Sequence, residues 1–278
     1  MKRRLLLCLP AALAAGCAAW QRPAPADAPA QRDRALDAAL RSQPLVLLGE
    51  VHDNAAQHAL RAQALRRLLR TGRRPALLME QFDREHQAAL DRVLATPGAT
   101  ADALIAAGWP QGGAGWQWPL YRPFIELAFE FSLPLVAANV SRADTRRIIA
   151  GGLAAHGFDG AVPADIAAAQ TQAIVDSHCG HVDTALAGRL MQAQVARDQF
   201  MARQLAAHAG RGAVLLAGNG HVRRDIGVPR WLPADLQARC VSIGLLEDAG
   251  PPAAYDVAFD MPAPSRPDPC TALQRRPA

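Results

Sequence analysis

Apolar and polar residues alternate along this chain in blocks, and the block lengths carry most of the reading. Leu45–Leu48 is an unbroken run of branched apolar residues with no polar alternation, which predicts a strand covered on both faces, as in a parallel sheet. A second such run, Pro75–Met79, ends in Glu80, and a third, Leu133–Ala138, ends in Asn139. Ala213–Ala217 and Arg239–Leu246 predict two more strands, and Tyr255–Phe259 an edge strand. Between them lie stretches of helical period. Ala55–Arg70 carries Leu60, Leu65, Leu68 and Leu69 among arginines and glutamines and closes at Thr71 and Gly72, and Asp83 is placed to cap a helix through Val93. The region from Ser141 to about Ala187 has no strand-like run and predicts a helical lobe. The fold class expected is α/β, a mainly parallel sheet flanked by helices with a smaller helical lobe.

The N-terminus reads as a targeting segment. Lys2, Arg3 and Arg4 precede an apolar block, Leu5–Ala15, too short to span a bilayer as a finished helix, so residues 1–16 are expected to be a signal peptide. The block ends in Ala14, Ala15, Gly16, Cys17, similar to a bacterial lipobox, which makes Cys17 the expected site of lipidation; Ala14 stands where that pattern prefers leucine. Ala18 after the cysteine fits sorting to the outer membrane. Residues 17–35, rich in Pro and Ala, are expected to be an extended tether, residues 36–262 the α/β domain with its lobe at about 141–187, and residues 263–278 a disordered tail.

Composition adds few constraints. Hydrophobic content of 50% makes a sizeable core easy to build, and part of the net charge of +5 belongs to the leader. With aromatic content of only 5%, the basic balance does not point to nucleic acid. Once Cys8 and Cys17 are set aside, Cys179, Cys240 and Cys270 allow one disulfide at most, and spacing leaves the pair open.

Candidate chemistry gathers at the strand ends, where open α/β sheets bind ligands. Glu50, His52, Asp53 and Asn54 follow the first strand at once, Glu80 and Asn139 end the next two, and Asn219, His221 and Arg223 follow the fourth. On the long helix before that strand, Leu190, Gln194, Asp198, Met201 and Leu205 share a stripe that is polar in its middle, so Gln194 and Asp198 are candidates to face the same pocket or to tie the helix to neighbouring backbone. The most unusual segment is Gly108–Phe124, with Trp109, Trp116, Trp118 and one of only two tyrosines, Tyr121. It reads as a loop that forms either a hydrophobic lid or a platform for a large planar ligand.

Taken together, Gly49–Asp53 (GEVHD), Met79–Glu80, Trp118–Pro123 (WPLYRP), Ala137–Asn139 (AAN), His178–Gly180 (HCG), Gln194–Ala202 (QVARDQFMA) and Gly218–Pro229 (GNGHVRRDIGVP) resemble the ChaN family of haem-binding bacterial lipoproteins. The resemblance implies a parallel sheet with a helical lobe, haem as cofactor, and a role in haem and iron uptake. It implies a tyrosine on the iron, here Tyr121, and a pair of stacked haems held between two copies of the chain. Trp118, Arg142 and His178 are the further haem contacts expected, with Arg142, Arg146 and Arg147 available for propionates or simply a solvated helix face. An outer-membrane haem receptor is the other partner the resemblance suggests. His178 and His181 flank Cys179, but so short a glycine-broken stretch does not make a tetrahedral metal site without ligands from elsewhere.

A second reading uses the strand-end cluster itself. Glu50, His52, Glu80 and His221 offer two carboxylates and two imidazoles suited to a metal or to acid–base work, and resemble erythromycin-esterase-like hydrolases and metal-dependent peptidases. The chain contains neither a GxSxG nucleophile elbow nor an HExxH helix.

Overall fold

The protein, seen in a computed structural model, is described for residues 28–110, 112, 115–247, 250–268 and 270–271. Cys17 and the leader lie outside the described residues. Six strands, β1 (Leu45–Leu48), β2 (Ala76–Asp83), β3 (Leu135–Asn139), β4 (Ala213–Leu216), β5 (Cys240–Leu246) and β6 (Val257–Asp260), form one parallel sheet in the order β3-β2-β4-β1-β5-β6. The topology puts β1 and β4 side by side at its centre, so the polar residues that follow them emerge at the same edge.

Helices cover both faces. On β1, Val46 and Leu48 point into one core with α1 (Ala28–Ser42), α2 (Ala55–Arg70) and α5 (Trp118–Glu130), while Leu45 and Leu47 point into the other with α8 (Thr184–Ala207). This alternation is the period of two of a strand, and burial on both faces explains why the run has no polar positions. A smaller core of Val140, Ile148, Leu153, Phe158, Val195 and Ala196 joins α6 (Arg142–Gly151) to α8 and carries the helical lobe, which continues through α7 (Ala164–Ser177).

Three expectations are corrected. Residues 28–35 are the first half of α1 rather than the end of a tether, because Leu36 and Leu40 bury completely and hold an alanine-rich stretch in register above α2. The second strand continues past Glu80 to Asp83, with an irregularity in its pairing to β3 between Met79 and Asp83; Asp83 caps nothing and accepts instead from Asn139 Nδ2 at 2.9 Å. A single 3-10 turn, Arg84–His86, then leads into α3 (Gln87–Leu94), followed by α4 (Ala101–Gly108). Within the tryptophan-rich segment, Gly108 ends α4 and the described residues between Trp109 and Gln117 are loop. Trp118–Glu130 is helical despite Pro119 and Pro123, because Pro119 falls in the first turn, where its missing N–H costs nothing, and Tyr121, Phe124, Ile125, Leu127 and Ala128 are buried.

Cys179 and Cys270 form a disulfide, which settles the pairing, and Cys240 is free and buried at the start of β5. Among the described residues no helix is long and apolar enough to cross a membrane.

Candidate functional site

Two polar groups are built at the C-terminal edge of the sheet. The first is centred on Glu50, which follows β1 and is 2% exposed. Its Oε1 accepts from the Tyr121 hydroxyl at 2.6 Å and lies 2.9 Å from His52 Nδ1. Its Oε2 pairs with Arg61 and lies 3.5 Å from His58 Nδ1. Arg61 is fully buried, donates to the Leu48 carbonyl at 3.0 Å and stands 5.2 Å from the centre of the Phe124 ring. A buried carboxylate and a buried guanidinium are each costly alone, so each is the condition for the other. Burial lowers Arg61 to about 9, opposed by Tyr121 and Glu80, and lowers His58 to about 4, leaving the guanidinium charged and the imidazole neutral at pH 7.

Helix α2 delivers both partners. Asn54 caps it, accepting from the Gln57 N–H at 3.1 Å, and the helical spacing of Asn54, Gln57, His58 and Arg61 makes a polar stripe under an otherwise apolar face. Neither His58 nor Arg61 stands among the residues the motifs single out, because a polar stripe on an arginine-rich helix reads as a solvated face.

The second group joins β2, β4 and α8. Glu80 Oε2 accepts from the Gly218 N–H at 2.8 Å, and Glu80 Oε1 lies 3.5 Å from His221 Nε2. His221 Nδ1 lies 2.6 Å from Asp198 Oδ1, and Gln170 Nε2 donates to Asp198 Oδ2 at 3.0 Å and to the Ile226 carbonyl at 2.8 Å. Burial alone would lower His221, but the charges of Glu80 and Asp198 raise it to about 10, so it is an imidazolium between two carboxylates. Burial raises Glu80 and Asp198 alike; His221 overrides it at Glu80, which ends well below the usual carboxylate range, whereas Asp198 stays above it. Gly218 is the point where the two groups meet. A Cβ there would stand 3.0 Å from His52 Cε1 and 3.8 Å from Glu80 Oε2.

The expected cluster of Glu50, His52, Glu80, Asp198 and His221 is therefore brought together, while other members are engaged elsewhere. Asn219 braces β5 through Leu245, Arg223 pairs with Asp225, Asn139 bonds Asp83, and Gln194 is half-buried beside Arg197. Among the described residues no group of three or more His, Cys, Asp and Glu side chains is disposed to hold a metal ion.

A cleft of about 640 Å³ opens beside this cluster, between the tryptophan-rich loop and the start of α6. Trp109, Trp116, Arg142, Arg197, His86 and Asn139 are among its lining residues. Trp116 also meets His52 edge-on, with ring centres 4.9 Å apart, which ties the cleft to the polar cluster. Three of its lining residues each bury a polar atom that has no hydrogen-bond partner and is closed to solvent: His86 Nδ1, Asn139 Oδ1 and Arg197 Nε.

The expected haem contacts divide. Arg142 lines the cleft and is exposed. Trp118 stacks on Phe82, with centroids 5.3 Å apart, and packs against the main core. His178 closes α7 beside the disulfide, its Nδ1 2.8 Å from the Ile174 carbonyl, and is not part of the cleft. Tyr121 is fully buried on α5, behind Trp116, with its hydroxyl committed to Glu50; as placed, it presents no oxygen to the cleft. The reading of Tyr121 as a loop residue displaying its phenol is corrected by the helix that carries it inward.

Residues 36–232 match the family model described as "Haem-binding uptake, Tiki superfamily, ChaN". Among solved structures, ChaN of Campylobacter jejuni, which binds haem cofacially, aligns over 81% of this chain and 90% of its own at 20% identity, with a TM-score of 0.70. An erythromycin esterase EreC mutant covers 82% of this chain and 78% of its own at 13% identity and a TM-score of 0.46. The RRSP effector domain of a Vibrio vulnificus toxin covers 76% and 35% at 15% identity, with a TM-score of 0.43. No curated protein matches the chain by sequence.

Proposed function

The chain belongs to the ChaN family of haem-binding uptake proteins, and from that premise we propose that it binds haem in the cleft between the tryptophan-rich loop and α6. The observation that carries this reading is the coincidence, around one cleft, of two indoles, two guanidiniums and an imidazole. Indole faces suit a porphyrin plane, and guanidiniums suit propionates through paired N–H donors. The volume lies within the roughly 300–1,000 Å³ of small-molecule and cofactor sites. When bound, haem would supply an iron able to take a donor atom from the protein or from solvent.

The cleft is open, since Trp109 and Trp116 are half-buried and Arg142 is exposed. One face of a porphyrin lying there stays in water unless something covers it, and a second copy of the chain, related by a two-fold axis, is the cover we propose. The reported cofacial binding in the Campylobacter protein supports that arrangement. Haem and iron uptake is the physiological role, at the outer membrane through lipidated Cys17. Cys17→Ser is expected to move the protein from the membrane to the soluble fraction, and unchanged fractionation would remove the anchor.

The buried charges of Glu80, His221 and Asp198 satisfy one another, which suits a scaffold for the strand ends; hydrolysis gains no support from them. Hemin titration followed by absorption tests the main reading. Saturable perturbation of the Soret band is expected in the parent, and Arg142→Ala with Arg197→Ala should raise Kd about tenfold, or ~1.4 kcal/mol. A parent that leaves the free-hemin spectrum unchanged would refute it.

A further inference from the structure

Arginines gather where the strands begin and carboxylates where they end. Arg41, Arg73 with Arg74, Arg211 and Arg239 come just before β1, β2, β4 and β5, whereas Glu50, Asp83 and Glu247 close β1, β2 and β5 at the other edge. These strands are neighbours in the order β2-β4-β1-β5, and their first residues are in register, Ala76 beside Ala213 and Leu45 beside both Ala213 and Cys240. With neighbouring strands about 4.8 Å apart, the arginines form a row roughly 15 Å long. Arg70 joins it, because α2 runs back from the end of β1 to the start of β2 and Arg70 is its last residue.

Arg73 donates to the Leu40 and Gln43 carbonyls and Arg74 to those of Leu69 and Arg73, so these two close the ends of α1 and α2 while keeping their charge. Arg41, Arg70, Arg211 and Arg239 are exposed and, among the described residues, pair with no carboxylate. Nearby carboxylates are taken, Asp37 by Arg67 and Glu130 by Arg66, which leaves the exposed Asp235, shortly before Arg239, as the acidic group flanking the row. The helix ends there add only partial negative charge. Guanidiniums suit phosphate through paired N–H donors, and each adds attraction to an anionic surface. Such a surface is within reach of the chain. Residues 17–27 precede α1 and extend to at most about 40 Å, against about 22 Å for α1 itself, so a lipid on Cys17 can lie level with the row.

Resting on the lipid anchor at Cys17 read above, we propose that this arginine row docks on the anionic phospholipid headgroups of the membrane that holds the chain. The cleft, bordered by Asp83 and Asn139 at the opposite edge, is thereby turned away from the bilayer. The row orients the chain and does not anchor it: at ordinary salt its attraction is screened, so Cys17→Ser protein still leaves the membrane. Vesicle co-sedimentation of the mature chain carrying Cys17→Ser, free of leader and lipid, tests this at low ionic strength. Binding is expected to vesicles containing phosphatidylglycerol and not to phosphatidylcholine alone, and added salt should reverse it. Arg70→Gln with Arg211→Gln should weaken binding about tenfold. Arg146→Gln with Arg189→Gln, the same loss of charge from exposed arginines on α6 and the start of α8, should leave it at the parent value. No binding to phosphatidylglycerol vesicles at low ionic strength, or equal weakening by both pairs of substitutions, would overturn the docking face and leave the lipid anchor standing. Release of the lipidated parent itself into the soluble fraction would overturn the anchor, and this orientation with it.

Discussion

Tyr121 carries opposite meanings in the linear motif and in the folded chain. In WPLYRP it stands among the most polar and aromatic residues of the sequence, and its phenol looks available. In the fold it donates to Glu50, and burial pushes its ionisation far above the ordinary phenol range, with Arg61 opposing. Tyr121→Phe therefore removes a hydrogen bond to a buried charge, and a loss of about 1.5–3 kcal/mol in unfolding free energy is expected. Urea denaturation measures it. A variant as stable as the parent would show that Glu50 does not depend on the phenol. The residue types of this cluster were legible in the sequence, since Glu50, His52, Glu80 and His221 all follow apolar runs. Arg61 was not, because an arginine in a helix with several others looks like surface until packing buries it.

At the scale of elements, the chain Glu80–His221–Asp198–Gln170 fastens β2, the end of β4, α8 and α7 to one another. Its stability should depend on pH through His221, whose folded value of about 10 exceeds the ordinary 6.5. A raised histidine contributes fully below its unfolded pKa and loses that contribution as pH rises through the folded one. Thermal stability is thus expected to fall between about pH 7 and pH 10, and His221→Gln should flatten that limb; a parent with no slope there would contradict the imidazolium assignment. On the acid side Glu80 and Asp198 shift in opposite directions, so the alkaline limb is the diagnostic one. Strand positions were readable because residues buried on both faces leave no polar alternation. The extension of β2 to Asp83 and the helix through Pro119 and Pro123 were not, since pairing with β3 and burial of Phe124 and Ile125 outweigh local preference.

For the whole molecule, the proposed shared site would make haem binding and association a single equilibrium. Burying a porphyrin face against a second copy gains roughly 25 cal/mol per Å² of apolar surface, and mass action then shifts monomer to dimer as hemin is added. Sedimentation velocity should show a monomer without hemin and a dimer with it. A chain that binds hemin tightly and remains monomeric would exclude the shared site. The Cys179–Cys270 bridge spans 91 residues and ties the C-terminal segment, where Arg266 pairs with Asp53 and Glu247, to the end of α7 in the lobe.

The amino-acid sequence by itself determined the α/β class, the strand runs, the gathering of Glu50, Glu80 and His221 at one edge, and the family likeness, because each depends on local period or on residues adjacent in the chain. Tertiary structure alone decided that Arg61 neutralises Glu50, that Asp198 rather than Gln194 reaches His221, that Cys179 pairs with Cys270, and that His86 reaches the cleft while Tyr121 turns inward. Those outcomes depend on which helix faces close over the sheet, and burial energies summed over distant segments fix that choice, with no trace in any one of them.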